Sequence, residues 1–136
     1  MRKFLLISHG GLAKGALNSL QVFVRDTKNC TEISGYVDDC DPKVELNKFW
    51  QEVGDEDQVL IFTDIIGGSV NQLVLPMLER PNTYIFSGMN LPMLLQAACL
   101  AENADPEEIK KLERVGKDGV VCMNDYKFEP FGEDDE

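Results

Sequence analysis

The sequence predicts an α/β domain built on a doubly wound, mostly parallel sheet with helices on both faces. Short apolar runs alternate with longer amphipathic stretches along the chain. The clearest run, Val59-Leu60-Ile61-Phe62-Thr63, is apolar nearly throughout, as a strand covered on both faces requires. Two runs end in polar, glycine-rich turns, Ser8-His9-Gly10-Gly11 and Asp64 to Ser69, at the strand ends where open parallel sheets bind ligands.

The elements follow in order. Phe4 to Ile7 is a buried strand, and Leu12, Ala16, Leu20 and Val24 then recur every fourth residue as on a helix face. A weaker strand covers about Thr31 to Val37. Asp41-Pro42 caps a second helix whose apolar stripe is Leu46, Phe49, Trp50 and Val53, with Gly54 as its stop. After Val59–Thr63 a third helix begins near Ser69. Pro76 falls inside it, so a kink or break is expected there. Thr83 to Phe86 is the fourth strand, and Asn90 caps a helix running to about Glu102. Asp105-Pro106-Glu107-Glu108 opens another helix with a capping box, and Val120 to Met123 reads as a last short strand.

With 136 residues, 43% of them hydrophobic and 27% charged, a single domain is expected. It spans residues 1–128, with an acidic tail over residues 129–136. The net charge is −11, and five acidic residues lie in that tail. The body is still acidic, which disfavours nucleic acid and anionic lipid and favours a basic protein partner. Cys30, Cys40, Cys99 and Cys122 are scattered, and no secretory signal or membrane-length apolar stretch accompanies them. Reduced, mostly buried thiols in a cytoplasmic protein are therefore expected. A single histidine and unclustered cysteines give no zinc spacing, and no cofactor is expected.

If the first and third strands are neighbours, His9 and Asp64 face one another across a crevice. An aspartate can accept the proton on one imidazole nitrogen, which leaves the other free as a nucleophile. Backbone N–H groups of Gly10, Gly67 and Gly68, with the Ser69 hydroxyl, could then hold an anion. Singly, each feature has a plainer reading: a histidine can be structural, Asp64 a turn former, and Gly67-Gly68 an ordinary turn. Together they make a nucleophile, an orienting acid and an anion cradle. The chain is thus read as a phosphoryl carrier loaded on His9.

At these residues the chain resembles the mannose-family IIA component of the bacterial phosphoenolpyruvate-dependent sugar phosphotransferase system. Three segments carry the likeness: Leu6-Ile7-Ser8-His9-Gly10-Gly11-Leu12-Ala13-Lys14-Gly15, Phe62-Thr63-Asp64-Ile65-Ile66-Gly67-Gly68-Ser69-Val70-Asn71, and Ser87-Gly88-Met89-Asn90-Leu91-Pro92-Met93-Leu94. The resemblance implies a five-stranded sheet of order 2-1-3-4-5 whose last strand is antiparallel and commonly exchanged within a homodimer. It implies that His9 accepts phosphate from the phosphocarrier protein HPr and passes it to a IIB component serving a IIC/IID membrane complex. Asp64 becomes the orienting partner, and Ser69 with the neighbouring backbone contacts the phosphate. Family members often carry Thr-Trp after the aspartate and proline after the serine, where this chain has Ile65, Ile66 and Val70. That difference bears on docking more than on chemistry. No IIB segment follows in the sequence, so the acceptor is expected on a separate chain.

Three rivals differ in what they do with these residues. A regulator of the same fold would read His9 phosphorylation as a signal and never discharge onto IIB. A Ser-His-Asp hydrolase would use Ser8 or Ser69, although no GxSxG elbow is present. The phosphoryl-donor subunit of a dihydroxyacetone kinase shares the first motif but usually differs at the second.

Overall fold

The computed structural model describes residues 1–128, and the acidic tail lies outside them. Four strands pair in parallel in the order β2-β1-β3-β4, where β1 is Arg2–His9, β2 Cys30–Gly35, β3 Gln58–Thr63 and β4 Thr83–Ser87. Because side chains alternate across a strand, β1 sends Phe4 and Leu6 to one face and Leu5 and Ile7 to the other. β3 divides in the same way, with Leu60 and Phe62 opposite Val59 and Ile61. All eight are buried. This is why both runs are apolar without alternation.

Helices cover both faces, as expected. On one side α1 (Leu12–Phe23), α4 (Leu91–Ala98), α5 (Pro106–Lys110) and α6 (Leu112–Asp118) pack Ala13, Leu20, Met93, Leu94, Ala97, Ile109 and Leu112 over the sheet. A run of stacked rings, Phe4–Phe62–Phe86, lies beneath them, with centroids 6.4 and 5.5 Å apart. On the other side α2 (Pro42–Gln51) and α3 (Ser69–Val74) supply Leu46, Phe49, Val70 and Val74. Pro76 breaks the third helix: α3 stops at Val74 and the chain continues as a 3₁₀ helix over Leu75–Glu79. Asp41, Asn90 and Asp105 each accept a backbone N–H of the first helical turn, so the expected caps are in place.

Four expectations need correction. Leu12 is exposed, and Ala13 takes its place against the sheet, because a four-residue spacing drifts around the helix relative to its turn of about 3.6 residues. The fourth helix ends at Ala98 rather than near Glu102, its last turn closed by bonds from Cys99 and Leu100. Val120–Met123 forms no strand, so the sheet has four strands among the described residues rather than five. That stretch uses its backbone on turns instead: Val120 donates to Lys117, Asp125 to Cys122 and Tyr126 to Met123. Finally, Cys99 and Cys122 are exposed, and Cys30 and Cys40 are half-buried, each packed against the edge of one core cluster. All four are unpaired. Burial, reinforced by Asp26, pushes the Cys30 thiol up to about 11, which makes it a poor nucleophile.

The strand order reverses between β1 and β3, since the chain moves outward to β2 on one side and to β3 and β4 on the other. The carboxyl ends of those two strands therefore flank the crevice in which a doubly wound sheet binds its ligand.

Candidate functional site

Register sets the site. Ile7 pairs with Thr63 across the β1–β3 ladder, so the residues just beyond, His9 and Asp64, emerge side by side. Asp64 is the more enclosed, with 8% of its side chain exposed against 39% for His9. One carboxylate oxygen, Oδ2, accepts the backbone N–H of His9 at 2.7 Å and also lies 2.7 Å from the ring Nδ1. The other, Oδ1, accepts the N–H of Ile65 at 2.9 Å. Burial pushes the Asp64 carboxyl up, but the His9 backbone and ring bonds, the Ile65 bond and the imidazole charge outweigh it. The group ends below the ordinary carboxylate range.

An ionised carboxylate only accepts, so Nδ1 carries the proton and the Nε2 lone pair points outward. There it meets the Ser69 hydroxyl at 2.9 Å, which in this tautomer donates to the ring. Ile65 and Ile66, the two residues after Asp64, are both exposed. A Cβ on Gly68 would sit 3.3 Å from His9 Cε1, so a bare backbone is what lets the loop pass beside the ring.

Neighbouring groups hold these elements in position. Ser8 is fully buried, accepts the Ala13 N–H at 2.7 Å and donates to the Gly10 carbonyl at 3.1 Å, which closes the turn between β1 and α1. Gly10 has φ +62° and Gly67 φ +76°, conformations that glycine adopts without a Cβ penalty. Thr63 Oγ1, with one proton to give, lies 3.0 Å from both Asn71 Oδ1 and Ser87 Oγ, and Ser87 donates to Asn71. This small buried network pins the start of α3, and with it Ser69, to the ends of β3 and β4.

A sequence model of the family described as PTS system fructose IIA component (EIIA-man) matches residues 3–115, most of the chain. The chain belongs to this family. It is thus a IIA component of the sugar phosphotransferase system, and the earlier resemblance holds at the level of family and general phosphotransferase role. Among solved structures, it is similar to a candidate phosphoenolpyruvate-dependent sugar phosphotransferase system permease from Klebsiella pneumoniae, at 26% identity and a TM-score of 0.80. The match covers 91% of this chain and 92% of that one. It also shares its fold with the mannose/sorbose-specific IIA subunit from Enterococcus faecalis, at 24% identity, a TM-score of 0.79 and coverage of 94% and 98%. A third likeness is the PTS IIA protein associated with the fucose utilization operon of Streptococcus pneumoniae, at 24% identity, a TM-score of 0.73 and coverage of 90% and 93%. No match is found among curated proteins.

The IIA component brings His9, Asp64, Gly68 and Ser69 together. Gly10 enters differently from the reading of its amide as an anion donor: that N–H donates to the Gly35 carbonyl at 2.9 Å, extending the β1–β2 ladder. Its part is the turn itself. Sequence reasoning missed Tyr36, whose ring stacks on the His9 imidazole with centroids 5.8 Å apart and planes at 29°. It also missed Asn71. Neither carries a sequence signal of its own, because both reach the site through tertiary contacts. Among the described residues no group of three or more His, Cys, Asp or Glu side chains is placed to hold a metal ion. None of the described helices is long and apolar enough to cross a membrane.

Proposed function

We propose that this IIA component carries a phosphoryl group on His9 Nε2, accepting it from HPr and passing it to a IIB component. The carrying observation is the pair of contacts on the imidazole: Nδ1 held by Asp64 at 2.7 Å, and Nε2 at the solvent edge with the Ser69 hydroxyl on its lone pair at 2.9 Å. In the forward step the Nε2 lone pair forms the N–P bond while the donor's N–P bond breaks, its electron pair returning to the donor nitrogen. The ring keeps its Nδ1 proton and gains positive charge, which the adjacent carboxylate offsets. Ser69 must give up Nε2 to the incoming phosphorus, and its hydroxyl is then free to donate to a phosphoryl oxygen. The Ser69 and Val70 amides, in the first turn of α3, are further donors on that side. Phosphoryl transfer asks little else of the protein than alignment and charge compensation.

Incubation with phosphoenolpyruvate, Enzyme I and HPr tests this. The expected result is an acid-labile phosphate on the wild type, none on His9→Gln, and discharge onto a cognate IIB. Phosphate that forms on His9→Gln, or never forms, overturns the reading. Loading without discharge replaces the carrier with a regulator of the same fold.

A second reading rests on one observation, that Ser69, His9 and Asp64 form the hydrogen-bond chain of a serine hydrolase. Ser69 rather than Ser8 would be the nucleophile, since Ser8 is fully buried with its hydroxyl engaged. Turnover of an activated ester that is abolished by Ser69→Ala, with His9 refusing phosphate, would establish it.

A further inference from the structure

Tyr36 opens the loop after β2, and its backbone is left-handed, with φ +67°. Asp38 and Asp39 share that conformation at φ +51° and +60°. Three non-glycine residues in the left-handed region within four positions is uncommon, and an aromatic one there is strained. The loop is closed by two backbone bonds, from Tyr36 to the Cys40 carbonyl at 3.0 Å and from Cys40 to the Val37 carbonyl at 2.9 Å. Such strain persists only where the surroundings over-determine it, and it concentrates at functional sites. Burial does not account for it here, because Tyr36 remains 64% exposed. What the strained backbone achieves is position: the phenol ring lies on the His9 imidazole, and its hydroxyl is 3.5 Å from the Ser69 hydroxyl.

That separation is long for a bond between the two hydroxyls. It suits two donors aimed at a shared acceptor, because an oxygen about 2.7 Å from each would sit between them. Ser69 already occupies the approach to Nε2, so the shared oxygen would belong to a group arriving there. Among the described residues no lysine or arginine is hydrogen-bonded or ion-paired to His9, Ser69 or Tyr36, whereas Asp64 is in direct contact with the ring. Lys43 lines the same concavity as Tyr36 and Ser69 but is bonded to none of the three, so the donors already in place beside His9 Nε2 are the two hydroxyls. We propose that the Tyr36 and Ser69 hydroxyls together bind one oxygen of the phosphoryl group on His9, while the Tyr36 ring holds the imidazole in its transfer geometry. This rests on the carrier reading. Both hydroxyls keep their protons throughout; the bonds made and broken remain the two N–P bonds, with the electron pair returning to the donor nitrogen.

The test uses two phosphoryl donors on the full chain, HPr and the small molecule phosphoramidate, which needs no docking surface. Tyr36→Phe keeps the ring and removes the hydroxyl. Tyr36→Gly removes both and is at ease at φ +67°. Tyr36→Phe should slow His9 phosphorylation about ten- to a hundredfold with either donor, the size of one lost hydrogen bond to a charged group. Tyr36→Gly should slow it further and shorten the lifetime of the isolated phosphoprotein, with a melting temperature no lower than wild type. Wild-type rates for Tyr36→Phe with phosphoramidate overturn the hydroxyl contact, and a loss confined to HPr does so too, because it makes Tyr36 a docking residue. A fall in melting temperature that accounts for the lost rate overturns the positioning role. If neither donor phosphorylates the wild type on His9, the carrier reading itself has failed, a result separate from all of these.

Discussion

At the scale of single residues, the charge on Asp64 is the most consequential feature of the site. Its Oδ2 serves two donors on His9, so an amide oxygen in its place could keep both of those bonds while the Ile65 bond is lost and no negative charge is supplied. Asp64→Asn is therefore expected to fold and to lose roughly 10²-fold or more in transfer rate, measured with HPr under saturating conditions. The pH dependence follows from the depressed carboxyl. A group whose folded value lies below its unfolded value, about 3.9, contributes stability that is complete above that value and lost as pH falls through the folded one. Denaturant midpoints should thus drop in acid more steeply for the wild type than for Asp64→Asn. His9 and Asp64 were legible because each sits just past an apolar run, where chain order alone says the sheet ends. Tyr36 was not, since a left-handed residue after a strand leaves no pattern in the sequence.

At the scale of elements, the turn from β1 into α1 depends on a side chain that no solvent reaches. Ser8 accepts the Ala13 amide and donates to the Gly10 carbonyl, so Ser8→Ala leaves two backbone groups short of a partner. We expect a loss of about 1–3 kcal/mol, read from urea unfolding, with a smaller loss of transfer rate once the folded fraction is corrected for. The sequence showed this strand, turn and helix but misjudged which side of the helix faces inward. Leu12 is apolar and in phase with Ala16 and Leu20, yet it is exposed while Ala13 is buried. Helical periodicity with four-residue spacing drifts by a residue over three turns, so it cannot fix the inward face at a helix start. The Pro76 break, by contrast, was legible because proline has no amide for the preceding turn.

At the scale of the whole molecule, the site mixes charged and apolar groups: Asp39, Asp41 and Lys43 line one concavity with Tyr36, Ser69 and Leu73. Ile65 and Ile66 follow Asp64 in the chain and stand exposed. Ile66→Glu should raise the KM for HPr about tenfold, leave phosphoramidate loading unchanged and leave the melting temperature within error. Elsewhere Val120, Val121, Met123, Tyr126 and Phe128 are exposed together after α6. The homodimer that the family resemblance implies would give those side chains cover, and sedimentation equilibrium should return twice the 15.2 kDa chain mass. The sheet of parallel strands was legible because its two central strands, β1 and β3, are apolar on both faces. The missing fifth strand was not, because four apolar residues show hydrophobicity but not whether a ladder receives them.

The double acceptance at Asp64 Oδ2 has a practical side as well. The main-chain amide of His9 and the protonated nitrogen of its own imidazole share one oxygen, so whatever draws electron density from the ring is felt by that amide through a single atom. The ¹H–¹⁵N resonance of His9 should therefore move on loading and return on discharge. The protein would report its own occupancy without a label on phosphorus or a trapped intermediate.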